Sequence, residues 1–254
     1  MNETKKWKSF LYELSPVAVF FLIFGGMEWA IKEFNVPTWL MAAPIDTFRT
    51  LESRFGEILP HLLITIKEIG IGYAIGVIFG ITLALIFTSN RLMEKAVSPY
   101  VVFLIVTPQI IMVPLLMLWM GFGIHVKVIA VALSVFPINM MSTMTGVKNV
   151  TPERYELMKS LCASKMQTFF KVLIPSALPN VFTGMRLGTI FATTSAVGAE
   201  LISGNTGVGP QISYNTEYIV MDMAFSYMYV MVAVGVLFYC LINLAEFFGV
   251  KWKN

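Results

Sequence analysis

Apolar residues in this sequence run in continuous blocks of about twenty, the length that carries a helix across ~30 Å of hydrocarbon. Backbone groups in lipid are satisfied only by helices or closed barrels, and a barrel strand alternates apolar with polar residues rather than running them together. Composition points the same way. At 254 residues, 57% hydrophobic and 13% charged, with a mean hydropathy of +0.74, the chain carries more apolar surface than a soluble core of its size can hide. The sequence predicts an all-α membrane protein of one transmembrane domain, residues 1–254.

Six spans are expected: about Pro16 to Ile31, His61 to Thr88, Val97 to Met120, Val126 to Gly146, Leu178 to Ile202 and Ala224 to Phe248. The second is rich in glycine (Gly70, Gly72, Gly76, Gly80), the third holds Pro99, Pro108 and Pro114, and the fourth holds Pro137. Prolines 108, 114 and 137 free backbone carbonyls and either bend their helices for motion or kink them permanently. A polar segment with Pro37, Pro44 and the charged run Asp46 to Glu57 joins the first two spans. Ser203 to Asp222 reads as an outer loop without lysine or arginine, its Gly204, Gly207 and Gly209 signalling tight turns.

Basic residues orient the ladder. With both termini cytoplasmic, thirteen fall inside: Lys5, Lys6, Lys8, Arg91, Lys95, Lys148, Arg154, Lys159, Lys165, Lys171, Lys251, Lys253 and, near an inner helix end, Arg186. Only Lys32, Arg49, Arg54 and Lys127 fall outside, and Lys67 lies within a span. That asymmetry follows the positive-inside rule and supports an even number of spans in a cytoplasmic (inner) membrane. The basic "MNETKKWKSF" followed by an apolar run resembles a secretory leader, but the run ends in "EWAIKEF" with no small-residue cleavage site and reads as a retained span.

Catalytic chemistry is poorly provided for. Cys162 and Cys240, expected in an inner loop and a membrane helix, imply no disulfide or metal framework. The two histidines, His61 and His125, are both expected near the outer face, and no His-Glu-x-x-His pattern is present. A membrane enzyme therefore lacks its catalytic set. A secondary transporter would show an inverted repeat and intramembrane ions for coupling, and neither is evident. The sequence also lacks a Gly-rich Lys-Ser/Thr phosphate loop, so no ATP is bound that way, and nothing points to nucleic acid.

The region from about 148 to 177 departs from the apolar background. Thr151-Pro152-Glu153 predicts a helix start with a hydroxyl cap, proline at the first helical position and an acid near the positive helix end; the helix should run to about Leu161. Ser164 with Gln167 predicts a capping box opening a second helix, Lys165 to Ile174, which Pro175 should stop. A tight break falls at Cys162-Ala163. On the first helix Leu157, Met158 and Leu161 form an apolar stripe away from Arg154 and Lys159. Periodicity alone fits either an amphipathic helix on the membrane surface or a knob offered to a soluble partner.

Spacing resolves that choice by resemblance. Glu156-Leu157-Met158, Cys162, then Val172-Leu173-Ile174-Pro175 resembles the "EAA…G…I-LP" cytoplasmic loop of binding-protein-dependent ABC-importer permeases. "VPLLMLWMGFG" (Val113 to Gly123), "IPSALPNVFTGMRLG" (Ile174 to Gly188) and "GAELISGNTGVG" (Gly198 to Gly209) are similar to further segments of the nitrate/sulfonate/taurine branch, so that about 230 residues are covered. Leu157 and Met158 stand where the family has alanines, and Cys162 stands where it has the loop glycine. Because cysteine carries a steric penalty at positive φ, the break is expected to use a different geometry, and the bulkier side chains a roomier cleft on a matched partner.

The resemblance implies a type I ABC-importer permease fold whose coupling helix docks on an ATPase. Glu156 would anchor it, and Leu157, Met158, Leu161, Cys162, Ala163 and Ser164 would meet the partner's groove. It also implies a second permease copy, two ATPase subunits that bind the ATP and magnesium, an extracytoplasmic solute-binding protein, and no cofactor on this chain. In the spans, Glu200 is expected to serve as a structural or gate residue near the outer mouth, and Glu28 to be solvated at the interface. Gln109, Asn139, Thr193, Thr194 and Ser195 either line a polar path or bind helices together. Seventeen methionines read as adaptable packing. Substrates implied by the branch are sulfonates, taurine or nitrate, with aromatic vitamins or their precursors as the alternative. No buried cation is evident, Arg186 being the nearest, which favours the neutral or aromatic cargo.

Overall fold

Helices and the turns between them make up the described chain, with no strand among the described residues. The structure is a computed structural model that describes residues 3–204 and 206–250, and leaves undescribed the side chains of residues 3–14, 16 and 17. The side chains of Lys5, Lys6 and Lys8, and the whole of Lys251 and Lys253, used above for orientation, lie outside the described residues. In chain order the helices are α1 (Glu3–Glu33), α2 (Pro44–Ser53), α3 (Phe55–Thr88), α4 (Arg91–Val106), α5 (Met112–Met120), α6 (Ile124–Lys148), α7 (Pro152–Ser160), α8 (Lys165–Thr168), α9 (Ile174–Ser203), α10 (Val208–Glu217) and α11 (Met221–Gly249). A 3-10 turn, Gln109–Ile111, precedes α5, and a π-helical turn, Phe169–Leu173, follows α8.

Five of the six expected spans correspond to single helices, α1, α3, α6, α9 and α11, and the remaining one to α4 with α5. Among the described residues α3, α6 and α11 are long and apolar enough to cross a membrane by themselves. The third expected span is not one rod: α4 and the segment Gln109–Met120 meet at 77°. Its cause is local. Thr107 precedes Pro108 and is extended (φ −65°, ψ 123°), the conformation that a following proline enforces, so the helix ends there. Pro114, the third residue of α5, sits in its first turn, where proline is tolerated, and Pro137 is absorbed inside α6.

Contacts divide the chain into two compact units, one of residues up to Leu59 with Gln211–Tyr229, the other of Pro60–Pro210 with the residues from Val230 on. In the first, Glu28 is not simply solvated: it pairs with Lys32 at 2.7 Å and accepts the Ile45 N–H at 3.0 Å. It thus serves the first turn of α2, whose N-cap Ala43 has no side chain to do so. Thr50 donates to Asp222 (2.9 Å) and Ser226 to the Thr47 carbonyl (3.1 Å), joining α2 to α11, with Tyr229 against Phe24 and Phe48. Glu57 lies beside Arg54 (2.6 Å), and this hydrogen bond raises the guanidinium above its ordinary pKa.

The second unit is built around α6, whose most apolar stretch is 61% buried against 11% for α11. α6 is therefore the inner helix and α11 presents Val236, Leu237, Phe247 and Phe248 outward. α9 crosses α6 closely because Gly146 meets Ala177 and Asn180, and Gly184 meets Ser142, with no room for a Cβ. On α3, Gly72, Gly76 and Gly80 form a stripe at one-turn spacing against Val131, Val135 and Asn139 of α6. Without a hydrophobic force between helices in lipid, such small-residue contacts carry the dispersion attraction that holds them. α9 is less apolar than α3, α6 and α11 because polar residues recur along it: Thr189 and Glu200 are buried, Arg186, Thr193 and Ser195 half-buried, and Thr183 and Thr194 exposed.

Candidate functional site

Three arrangements of polar side chains stand out, all within the second unit. The first is the element from Thr151 to Ser176. Pro152 and Glu153 open α7 as expected, but the Thr151 side chain makes no capping hydrogen bond. At the far end the Ala163 N–H reaches the Met158 carbonyl and the Cys162 N–H reaches the Lys159 carbonyl, both at 2.9 Å. These two bonds are a Schellman motif, and Cys162 occupies its left-handed position at φ 51°. The expected departure in turn geometry is therefore absent. Cysteine adopts the glycine conformation, and two hydrogen bonds of about 1 kcal/mol each offset a left-handed penalty of about 1–2 kcal/mol.

Beyond the break Ser164 and Gln167 form the expected capping box, Ser164 Oγ accepting the Gln167 N–H (3.2 Å) and Gln167 Oε1 accepting the Ser164 N–H (2.8 Å). Pro175 does not stop the helix that follows. The π turn widens the coil just before Pro175, which makes room for its ring at the start of α9, so the chain runs from α8 into α9 unbroken.

α7 has two faces. Tyr155 and Met158 are half-buried against the rest of the unit, and Arg154 donates to Ser176 of α9 at 2.6 Å. Glu156, Leu157, Leu161 and Cys162 are exposed, Leu157 at 60% and Leu161 at 67%. The expected apolar stripe is thus split, with Met158 facing inward and the two leucines outward. Ala163 is half-buried and Ser164 exposed.

The second arrangement is a cavity of about 280 Å³ at the break of the third span. It brings together Thr107, Pro108, Gln109, Ser134, Thr194 and Ser195, with Phe191 as an apolar wall. Irregular backbone at membrane depth is tolerated where it is buried in protein or lines such a space. Its side-chain hydroxyls are engaged: Thr107 with the Phe103 carbonyl (2.8 Å), Thr194 with that of Ile190 (3.0 Å), Ser134 with Ser195 (2.9 Å) and Ser195 with the Ala130 carbonyl (3.2 Å). Gln109 Nε2 donates to the Leu104 carbonyl at 2.7 Å. No charged side chain is in the lining. Two other expected path residues lie elsewhere. Asn139 is fully buried at the crossing of α3, α6 and α9, beside Gly80 and Gly188, and Thr193 lies beside Gly235 of α11.

The third arrangement surrounds Glu200. Its carboxylate is fully buried and accepts the Thr65 hydroxyl (2.6 Å) and the Gly209 N–H (2.8 Å), while Thr65 also accepts the Val208 N–H (3.0 Å). Alongside, Lys127 Nζ donates to Glu68 (3.0 Å) and to the carbonyl (2.6 Å) and hydroxyl (2.9 Å) of Thr206. Lys127 and Glu68 are 2% and 0% exposed, so Lys127 is a buried residue of α6 and not an outer-loop cation. This corrects the expectation that the spans hold no buried cation. Segment 206–209 is fastened to α3, α6 and α9 at once, and it opens helix α10 where a loop was expected. Gly207, at φ 106°, would place a Cβ 1.8 Å from Glu200 Oε1. Arg186 is paired with Glu246, also close to Asn243 and Thr183.

Glu68, Lys127, Thr65 and Thr206 were missed as a group from the sequence. A glutamate and a lysine inside apolar spans were a readable signal that each needs a partner, since an isolated charge there is expensive.

Residues 76–252 match the family described as binding-protein-dependent transport system inner membrane component. The formylaminopyrimidine transport permease protein ThiX of Halalkalibacterium halodurans is 32% identical over 198 residues, 77% of this chain and 78% of that protein. The putative aliphatic sulfonates transport permease protein SsuC of Bacillus subtilis is 29% identical over 199 residues, 78% of this chain and 72% of that one. Among solved structures, an amino acid ABC transporter crystallised with histidines aligns with a TM-score of 0.65 at 18% identity, over 78% of this chain and 97% of that one, a likeness of fold.

Proposed function

The chain belongs to the binding-protein-dependent transport system inner membrane component family, an integral membrane permease subunit of an ABC importer and not an enzyme, and from that premise we propose how it is driven. The chain acts as one permease domain with both termini in the cytoplasm, and its 148–177 element is a cytoplasmic coupling loop. Two permease copies associate with two ATPase subunits, which bind the ATP and magnesium, and a solute-binding protein delivers cargo from outside. The observation that carries this reading is the division of α7. Tyr155, Met158 and the Arg154–Ser176 bond hold the helix to the permease, while Leu157, on the same side as Arg154, and Leu161 stand exposed beside that anchor.

Such a helix serves as a rigid lever. An ATPase groove takes the exposed leucines with Glu156 at the edge, the Schellman turn of Cys162 and the capping box of Ser164 keep the break stiff, and the unbroken run into α9 passes displacement to the span that lines the cavity. Only an interaction that differs between nucleotide states shifts the pore's equilibrium. The cavity at the third-span break, with Gln109, Thr194 and Ser195, is the solute pathway, and the Glu200–Lys127 node is the outer gate's fixed point. Asn139 and Thr193 bind helices together.

For cargo, the branch implies sulfonate, taurine or nitrate. A second reading, an uncharged aromatic vitamin precursor, is favoured by the uncharged lining of the cavity and by the relative named for formylaminopyrimidine transport. Lys127 does not alter that preference, because its donors are taken by Glu68 and Thr206. The test is uptake in proteoliposomes holding the permease, its ATPase and the binding protein. Leu157→Asp with Leu161→Asp should lower ATP-driven uptake by more than about 30-fold, the effect of losing one strong interface anchor, with insertion unchanged. Unaltered uptake in that variant refutes the lever.

A further inference from the structure

A second cavity, of about 370 Å³, lies between α7, α8 and the end of α3. Lys159 and Lys165 reach it from two different helices, with Tyr155 between them, and no acidic residue is in its lining. Among the described residues neither ammonium forms an ion pair, whereas Lys148 is neutralised by Glu94 at 2.6 Å and Arg186 by Glu246. The hydroxyls of Thr88, Ser89 and Thr168 here donate to backbone carbonyls of the preceding turn and carry no charge that would neutralise the lysines. The remaining wall is apolar, from Leu85, Phe169 and Leu173. Because Leu85 and Thr88 end a membrane-crossing helix, the cavity sits at the level where hydrocarbon gives way to headgroups.

We propose that this cavity binds a phosphate group, with the two lysines and the Tyr155 hydroxyl as donors, and that the anionic phospholipid headgroup is its source. Free phosphate shares the oxyanion chemistry, but the apolar wall suits a ligand that brings an acyl chain. The site rests on the reading of the 148–177 element as cytoplasmic. It lies on the face of α7 away from Leu157 and Leu161, so a lipid bound here braces the helix from behind while a partner holds the other side. Two cations converging without a counter-charge on one space are otherwise electrostatically unfavourable, and a phosphate removes that repulsion.

The test uses the full-length permease in nanodiscs of phosphatidylcholine alone and of phosphatidylcholine with an equal part of phosphatidylglycerol, read by native mass spectrometry for retained lipid. Lys159→Gln with Lys165→Gln should lower phosphatidylglycerol retention roughly 30-fold, about fivefold for each ammonium lost. Lys95→Gln with Lys171→Gln removes the same charge outside the cavity and should leave retention intact. Retention of inorganic phosphate but not of lipid, lost in the first variant only, keeps the site and assigns it to the free anion. Equal retention in all three proteins overturns the proposal, as does an equal fall in both variants. Cross-linking of Lys159 or Lys165 to carboxylates of the ATPase, with no phosphate ligand retained, overturns it in favour of an acidic protein surface. Labelling of Cys162 by a membrane-impermeant thiol reagent from the binding-protein side would sink the orientation and leave a lysine-dependent lipid result standing, so the two failures are distinguishable.

Discussion

Two polar regions of this permease, the Glu200–Lys127 node and the α7–α8 element, solve opposite problems. In the node the charged groups are buried and mostly answered: Lys127 uses three hydrogen bonds and Glu200 accepts two, while Glu68 Oε2 is left without a partner, and the glycines at 207 and 209 let the 206–209 segment press close on Glu200. In α7–α8 the backbone is closed by a Schellman turn and a capping box, yet Leu157, Leu161, Lys159 and Lys165 remain exposed. One region is closed largely within the chain, and the other leaves an ordered surface uncovered. That contrast separates stability from function, because a self-satisfied cluster holds a shape while an ordered but uncovered surface waits for a partner.

The contrast predicts a graded set of responses. Lys127→Met should be the most damaging to the isolated protein, because it leaves Glu68 buried without its cation; losing one member of a buried pair costs about 3–5 kcal/mol. Thermal unfolding in detergent measures it, and Lys127→Met with Glu68→Leu should recover much of the loss. An unchanged melting temperature in the single variant would mean the node is not closed. Gly207→Ala should be next, destabilising by about 1–3 kcal/mol, since it strains the left-handed backbone and presses a methyl on Glu200. Proteolytic cleavage of the 206–209 segment should then be faster, and a rate equal to the parent's would count against the node as a fastening.

In the other region effects on stability should be small. Cys162→Gly relieves a left-handed cysteine and should stabilise the turn by at most about 1 kcal/mol, with uptake preserved. A large loss of transport on that change would show that the Cys162 side chain, and not the turn, matters to the partner.

The division between what could be read in advance and what could not follows the same line. Periodicity and punctuation report on the chain locally, so α6, α11, the start of α7 at Pro152 and the capping box at Ser164 were legible. The 77° break was hidden because Pro99, Pro108 and Pro114 are equivalent in sequence, and only Pro108 follows a residue that turns extended. Pro175 misled for the complementary reason, since a π turn placed it where a proline is harmless. The node was invisible as a unit because Thr65, Glu68, Lys127, Glu200 and Thr206 come from four separate stretches of chain. Of the expected path residues, Gln109, Thr194 and Ser195 share a cavity because the broken span turns toward α9, a consequence of tertiary geometry that residue type alone does not carry.

The central claim is that a soluble ATPase grips the exposed face of α7, and Cys162, itself exposed, is placed to test it. In a Cys240→Ser background, a short thiol-to-amine cross-linker on Cys162 should capture the ATPase in the assembled transporter, with a yield that changes between nucleotide-free and ATP-bound states. Cross-links confined to lipid, or an ATPase never captured in either state, would contradict the account.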